Sequence, residues 1–445
     1  MELAELTTVP TTENQLPEGW ILITKLENFG RVLNGLSGKT KEDFGEGEPY
    51  IPYVNVFKND AIDIFELDYV KVSRGEKQNE LKYGDIIFTT SSETVEEVGM
   101  TSVFLAKKGK YYLNSFCFIF RLSDFNWLLP EYARFVFRSE TVRRDISLLG
   151  QGSTRYNLSK TRLLKELKFC LPQSLTEQRQ IAAILTKIDE AIAQTEALIA
   201  KYNRLKTGIM QDLLSRGIDE QGRIRSEATH AFKDSPLGRI PVEWEVENLG
   251  SIFVLKSGLT PLRAISKYFS TEGYNWVKTL DLNEDNLVDT EEKVTDFALR
   301  STSLKLMPTD SVLIAMYGGW EQIGRTAILK KEAGTNQAIT CLFNPKRAIY
   351  AEYVQLFLQQ NRWRWKQYAV STRKDPNITK TDISNFLIAF PKLIDEQIQI
   401  AEKVIEVKEN IHVLSQHLQK LQSLKAGLMQ DLLSGRVRVG QTAEK

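Results

Sequence analysis

Two segments of this chain carry apolar residues at steps that alternate between four and three. In the first, Ile181, Leu185, Ile188 and Ile192 are followed by Thr195, Ile199 and Tyr202; in the second, Ile400, Val404, Val407, Ile411, Leu414, Leu418 and Leu421 keep the same spacing. That period is a heptad stripe, and it predicts one long helix with a single apolar seam in each place. Pro172 and Pro391 stand just upstream, Thr176 and Asp395 are the expected capping residues, and Gly217 and Gly435 mark the stops. At the helical rise per residue each helix would be about 60 Å long. A helix with one apolar seam must cover it. The economical arrangement is an antiparallel coiled coil of the two helices on each other, the alternative being that each covers its own neighbouring domain.

The two segments are also copies. "LKTGIMQDLLS" begins at Leu205 and "LKAGLMQDLLS" at Leu424, and at the same offset of 219 residues "LPQSLTEQRQIA" matches "FPKLIDEQIQIA", pairing Glu177 with Glu396 and Gln178 with Gln397. An internal repeat on this scale organises the whole fold. Fainter echoes flank it. The Ser-Gly-x-Thr of residues 37–40 returns at 257–260, "GDIIFTTSSETVEEVG" resembles "TDSVLIAMYGGWEQIG" with Asp85 set against Asp310 and Gly99 against Gly324, and "GSTRYNLSKT" resembles "VSTRKDPNITKT".

Between the helices the pattern changes to short β-branched and aromatic runs, such as "YGDIIFTT", "FCFIFRL", "DSVLIAMY" and "AITCLFN", separated by turns. These read as strands. The expected fold is α+β: two globular domains of mixed strands and helices, residues 1–171 and 240–390, alternating with long helices at 172–217 and 391–436 in a pseudo-twofold internal repeat. The polar, turn-rich residues 218–239 read as a linker, and 437–445 as a tail.

Composition changes little in this picture. Apolar residues make up 42% and charged residues 26%, ordinary for a globular chain, and a net charge of +1 gives no overall pull toward nucleic acid. Cys117, Cys170 and Cys341 lie far apart in apolar surroundings and read as buried thiols of a reducing compartment. The three histidines do not stand at zinc-ligand spacing from any cysteine. With no long apolar run and no basic leader at the start, the expected location is cytoplasmic, away from membranes.

The motifs that could carry chemistry are incomplete. "GLSGKT" resembles a phosphate loop, but the required earlier glycine is Leu33. Glu291, Lys293 and Asp281 outline a metal-dependent nuclease site, although such a triplet in an acidic run reads better as a solvated turn. The glycine-rich loop and the polar-Pro-Pro-aromatic tetrapeptide of a methyltransferase are missing, and no Ser-His-Asp arrangement can be assembled. No catalytic, metal or cofactor residue is therefore assigned to this chain.

Recognition remains. Two diverged domains joined by paired helices suit a rigid, periodic target, and duplex DNA is one. Lys39, Arg155, Arg263, Arg325, Arg373 and Lys374 are candidates for phosphates, with Tyr317, Gln322, Asn336 and Gln337 as base-edge or shape readers. "NRWRWKQY", from Asn361, reads as a helix that packs its tryptophans.

The two Pro…Glu-Gln-x-x-Ile-Ala helix starts, the two Leu-Lys-x-Gly-x-Met-Gln-Asp-Leu-Leu helix ends and the stretch "GIDEQGRIR…FKDSPLGRIPVEW" resemble, in this order, the specificity subunit of type I restriction-modification systems. The resemblance covers nearly the whole chain. It implies two target recognition domains, each reading one half of a bipartite double-stranded DNA site, and a coiled coil that sets the spacing. It further implies two modification (methyltransferase) subunits that use S-adenosylmethionine and two restriction (motor and nuclease) subunits that use ATP and Mg, so that the chemistry belongs to partners. The pieces carried over as DNA-facing are residues 37–40, 89–99 and 153–157 in the first half and 257–261, 315–324 and 371–377 in the second. These add Thr40, Ser91, Ser92, Tyr156, Asn157, Trp320 and Asn377 to the candidates. Pro261 has no counterpart at Lys41. A competing reading is a non-enzymatic scaffold whose domains bind peptides.

Overall fold

The computed structural model describes residues 16–369 and 376–439. The chain forms two compact units. One runs to Glu196 and resumes at Gln416; the other is Ala197–Ser415. Each long helix, Leu175–Arg216 and Ile394–Leu433, is thus shared, beginning in one unit and ending in the other.

The first unit is built on an antiparallel sheet in the order Gly30–Asn34, Cys117–Leu122, Ile86–Thr89, Thr101–Val103. The strand Ile86–Thr89 is buried throughout, as expected of a central strand covered on both faces. Phe88, Phe118, Phe120, Phe135, Phe137 and Phe169 form the aromatic part of its core. A separate pair of strands, Trp20–Ile23 and Phe169–Pro172, closes the domain and leads straight into the first long helix.

The second unit repeats this plan. Its sheet runs Val254–Ser257, Ile339–Phe343, Val312–Ala315, Thr326–Leu329, Asn286–Leu287, antiparallel except for the last pairing. The registers match. Asn34 lies opposite Phe118 and Thr89 opposite Cys117, as Ser257 lies opposite Thr340 and Ala315 opposite Ile339. Trp244–Asn248 pairs with Leu387–Pro391 ahead of the second long helix, so Trp244 faces Pro391 as Trp20 faces Pro172.

The repeat differs from the sequence alignment at one point. Asp310 has the left-handed φ of +60° and donates its amide to Leu329 O; in the first unit that place is taken by Gly84, at φ +87° with its amide on Phe104 O. Asp85 corresponds to Ser311, because Asp85 O accepts from Phe104 N and Ser311 O from Leu329 N. Gly99 and Gly324 do correspond, at φ +65° and +73°. The intervening loop is therefore one residue shorter in the second unit, which an ungapped alignment hides.

Within each unit the end of one long helix runs antiparallel to the start of the other. In the first unit Asp189 pairs with Lys425 at 2.5 Å and Glu177 with Arg438 at 2.7 Å; in the second, Glu396 meets Ile218 N at 3.3 Å, and Lys206 lies near Lys408. Both predicted modes of covering the seam are used. Ile181 and Leu185 enter the first unit's core together with Leu432 and Leu433, and Ile400, Ala401 and Val404 enter the second's with Met210, Leu213 and Leu214. Thr195 and Val407 are buried, while Ile188, Ile192, Ile199, Tyr202, Ile411, Leu414, Leu418 and Leu421 are half-buried.

The helix caps correct two expectations. Ser174, not Thr176, caps the first helix: its carbonyl accepts from Gln178 N and its hydroxyl from Glu177 N. In the second helix Leu393 holds the equivalent place, and Asp395 lies in the first turn, where its carboxylate suits the positive end of the helix dipole. Both stops hold, with Gly217 and Gly435 at φ +64° and +72°. The stretch expected as a linker carries more structure: Phe232–Ser235 pairs with Gly238–Pro241, and Ile218, Asp219 and Arg225 are buried.

Candidate nucleic-acid interface

In the first unit the strands Gly30–Asn34 and Ile86–Thr89 end, and Thr101–Val103 and Cys117–Leu122 begin, at the same edge of the sheet. The segments 35–40, 90–99 and 114–116 therefore leave from one edge. A small sheet joins the fourth segment to them, since Tyr156 pairs with Ser92 and Asn157 with Ser91. The second unit does the same with residues 258–261, 316–325 and 336–338. Thr260 hydrogen-bonds Gln337, and Ile378 N reaches Met316 O, which brings Asn377 to that edge. The long helices start at the other edge, where Gln178 takes Leu129 N on its carbonyl and donates to Trp127 O, just beyond the end of Cys117–Leu122. The strand ends thus gather the three sequence-predicted segments of the first half and, in the second, residues 257–261, 315–324 and 376–377, while 371–375 lie outside the described residues.

Side by side, the candidate residues are not equivalent. The Lys39 ammonium is held by Glu76 at 2.7 Å and by Lys71 O at 2.5 Å, with its side chain only 8% exposed. Hydrogen bonds from Gln78, Lys39 and the Ser73 amide pull the Glu76 carboxyl down to about 2, so this staple is charged at neutral pH. Thr40 caps a short turn with Asp43. Ser91 and Ser92 are buried, and Ser92 donates to Glu97. Arg263 is paired with Glu292 and lies over Phe269 and Trp276, 4.4 and 4.9 Å from the ring centroids. Asn336 closes its own turn by accepting from Ala338 N.

Other candidates are open. Arg155, Asn157, Tyr317, Trp320, Gln337 and Asn377 are exposed, Tyr156 and Arg325 half-buried. Neither Arg155 nor Arg325 has a carboxylate at ion-pair distance among the described residues. Gln322 keeps its Oε1 buried with no hydrogen-bond partner among them. Arg373 and Lys374 lie outside the described residues. Sequence reasoning missed Trp363 and Lys366. Of "NRWRWKQY", Trp365 is buried as expected, but Trp363 is 62% exposed, and Lys366 lies over Trp320, 5.9 Å from its ring centroid. These line one depression with Arg325. The alternation of outward and inward tryptophans in a helical turn was the signal available.

The Glu-Gln motifs turn out to be structural. Gln178 also donates to Pro172 O, and Gln397 repeats two of these three contacts, with Tyr350 N and Pro391 O. Glu396 accepts from Arg225 at 2.5 and 3.1 Å and from the Trp244 indole at 3.1 Å, all buried; Glu177 accepts from Arg438 at 2.7 and 2.8 Å. Burial alone would lower the Arg225 pKa, but the Glu396 hydrogen bonds and charge more than offset it and hold it raised.

The residues weighed for chemistry do not assemble. Asp281 caps the Lys278 amide, and Lys293 pairs with Asp289. Burial pushes the Cys170 and Cys341 thiols up to about 11 and about 12, so neither is a thiolate at neutral pH. Among the described residues no cluster of three His, Cys, Asp or Glu side chains could hold a metal ion, and no helix is long and apolar enough to cross a membrane.

Residues 17–204 and 241–423 match the family described as "Type I restriction modification DNA specificity domain". The MjaVIII type I restriction enzyme specificity subunit of Methanocaldococcus jannaschii is 25% identical over 439 residues, covering 96% of this chain and 94% of that one. The crystal structure of a type I restriction-modification S subunit from M. genitalium superposes with a TM-score of 0.57 at 16% identity, covering 96% and 99% of the two chains. A chain from a study of assembly and conformational transition in the type I R-M system gives 0.55 at 16%, covering 95% and 100%. The structural likenesses show the fold.

Proposed function

Because this chain belongs to the type I restriction-modification DNA specificity family, we propose that it is the subunit that selects the DNA target, with each unit reading one half of a bipartite site. The observation that carries this reading is the duplicated edge. Two sheets of matched register each direct three otherwise dissimilar loops to one side, while the repeated helix starts occupy the other. Arg155, Arg325 and Lys366 face phosphates, and Tyr156, Asn157, Tyr317, Gln322 and Asn377 face base edges. Lys39 ties its loop to the segment that carries Lys71 and Glu76, since its charge is already neutralised there. The long helices set the gap between half-sites and dock two modification subunits, through which two restriction subunits join. S-adenosylmethionine, ATP and Mg serve those partners, and this chain is not itself an enzyme. The complex works in the cytoplasm.

The test is co-expression with the modification subunit, followed by single-molecule sequencing of host DNA for methylated adenines. A split motif, two short specified halves around a fixed unspecified gap, is the expected result. A stable complex that marks no motif would instead favour a scaffold for protein ligands.

A further inference from the structure

One reading loop in each unit is gripped by an arginine through its main-chain carbonyls, and the second of these arginines, Arg362, is also paired with Glu284 at 3.2 Å. In the first unit Arg143, in the helix Glu140–Leu148, donates to Gly99 O at 2.6 Å, Val98 O at 2.7 Å and Glu96 O at 2.9 Å. In the second unit Arg362, at the head of the turn Arg362–Gln367, donates to Ile323 O at 2.9 Å, Glu321 O at 2.5 Å and Trp320 O at 3.4 Å. The two arginines are 219 residues apart, the offset of the helix repeat, and two of the three carbonyls that each holds correspond, Val98 with Ile323 and Glu96 with Glu321. Their neighbours correspond as well. A Cβ on Gly99 would lie 2.7 Å from Ile146, and one on Gly324 2.2 Å from Trp365, again a pair 219 apart. Around these points the sequences "ETVRRDISLL" and "QQNRWRWKQY" share little.

A guanidinium offers five donors in a fixed planar fork, which a lysine ammonium cannot reproduce. Because the acceptors are carbonyls, the grip makes no demand on the loop's side chains. The same holder can therefore shape loops of unrelated sequence, which is what two readers of different half-sites require. Burial and the nearby Arg138 push the Arg143 pKa down to about 10, leaving the guanidinium charged at neutral pH.

We propose that Arg143 and Arg362 are positioning residues for DNA reading, each governing the fidelity of one half-site and not the other. The inference rests on the proposed function. Its test uses R143K and R362K in the full chain, complexed with the modification subunit, and maps methylated motifs in parallel with amide exchange. In R143K the expected result is faster exchange in residues 91–99 and roughly tenfold weaker base discrimination in one half-site, the other half unchanged. R362K should do the converse, with exchange raised in residues 317–324. The intact half-site in each variant serves as the control for folding. Unchanged motifs, equal relaxation of both halves, or loss of all methylation would each overturn the proposal and assign the arginines to stability or to nothing. A wild-type complex with no split motif would overturn the function on which the inference stands, an outcome distinct from all three.

Discussion

Glu177 and Glu396 show how one residue type at one offset can be placed differently. Both close a unit by tying a helix start to an arginine just past the end of the other helix. The Arg225 and Glu396 side chains are each 9% exposed, whereas that of Arg438 is 23% exposed and also reaches Glu18 O. Removing one partner of a buried pair strands the other charge, at a cost of about 3–5 kcal/mol. Glu396→Ala should therefore lower the melting temperature more than Glu177→Ala, because Arg438 can turn toward water and Arg225 cannot. Trp244 sharpens the contrast: its indole donates to Glu396, while the Trp20 indole N–H is buried without a partner among the described residues. Equal losses in the two variants, measured by calorimetry, would contradict this account.

At the scale of elements, the long helices draw their stability from what they insert into the units. Leu185 is fully buried and Leu418 half-buried. Leu185→Ala should cost about 2–5 kcal/mol in denaturant unfolding and Leu418→Ala clearly less. The helices were legible in sequence because a heptad stripe is local and survives divergence; the strands were legible because β-branched runs between turns are local too. What escaped was non-local or single-residue. Ser174 caps where Thr176 was expected because the helix begins two residues nearer the proline, and Arg225 looked like linker charge because its partner lies 171 residues away. Gly84, not Asp85, matches Asp310 because backbone conformation, and not side-chain identity, defines that turn. Of the site, the segments were legible and the state of their charges was not: nothing near Lys39 in sequence announces Glu76.

On the proposed reading, the net charge of +1 leaves DNA affinity to the cations Arg155, Arg325 and Lys366 at the two loop-bearing edges. Arg325→Ala should weaken binding to all sequences and reduce the slope of log affinity against log salt by about one, while Lys39→Ala should leave that slope nearly unchanged. Filter binding of the complex across a salt series measures both. The division of the chain has another consequence. The second unit is one continuous stretch, Ala197–Ser415, but the first unit needs residues from Gln416 onward, including Leu432, Leu433 and Arg438. A ribosome moving at about 5–20 residues per second takes on the order of 10–40 s to make the intervening stretch. During that interval the nascent first unit holds Ile181 and Leu185 without their final cover, and the half of the protein that was begun last is the first able to finish folding.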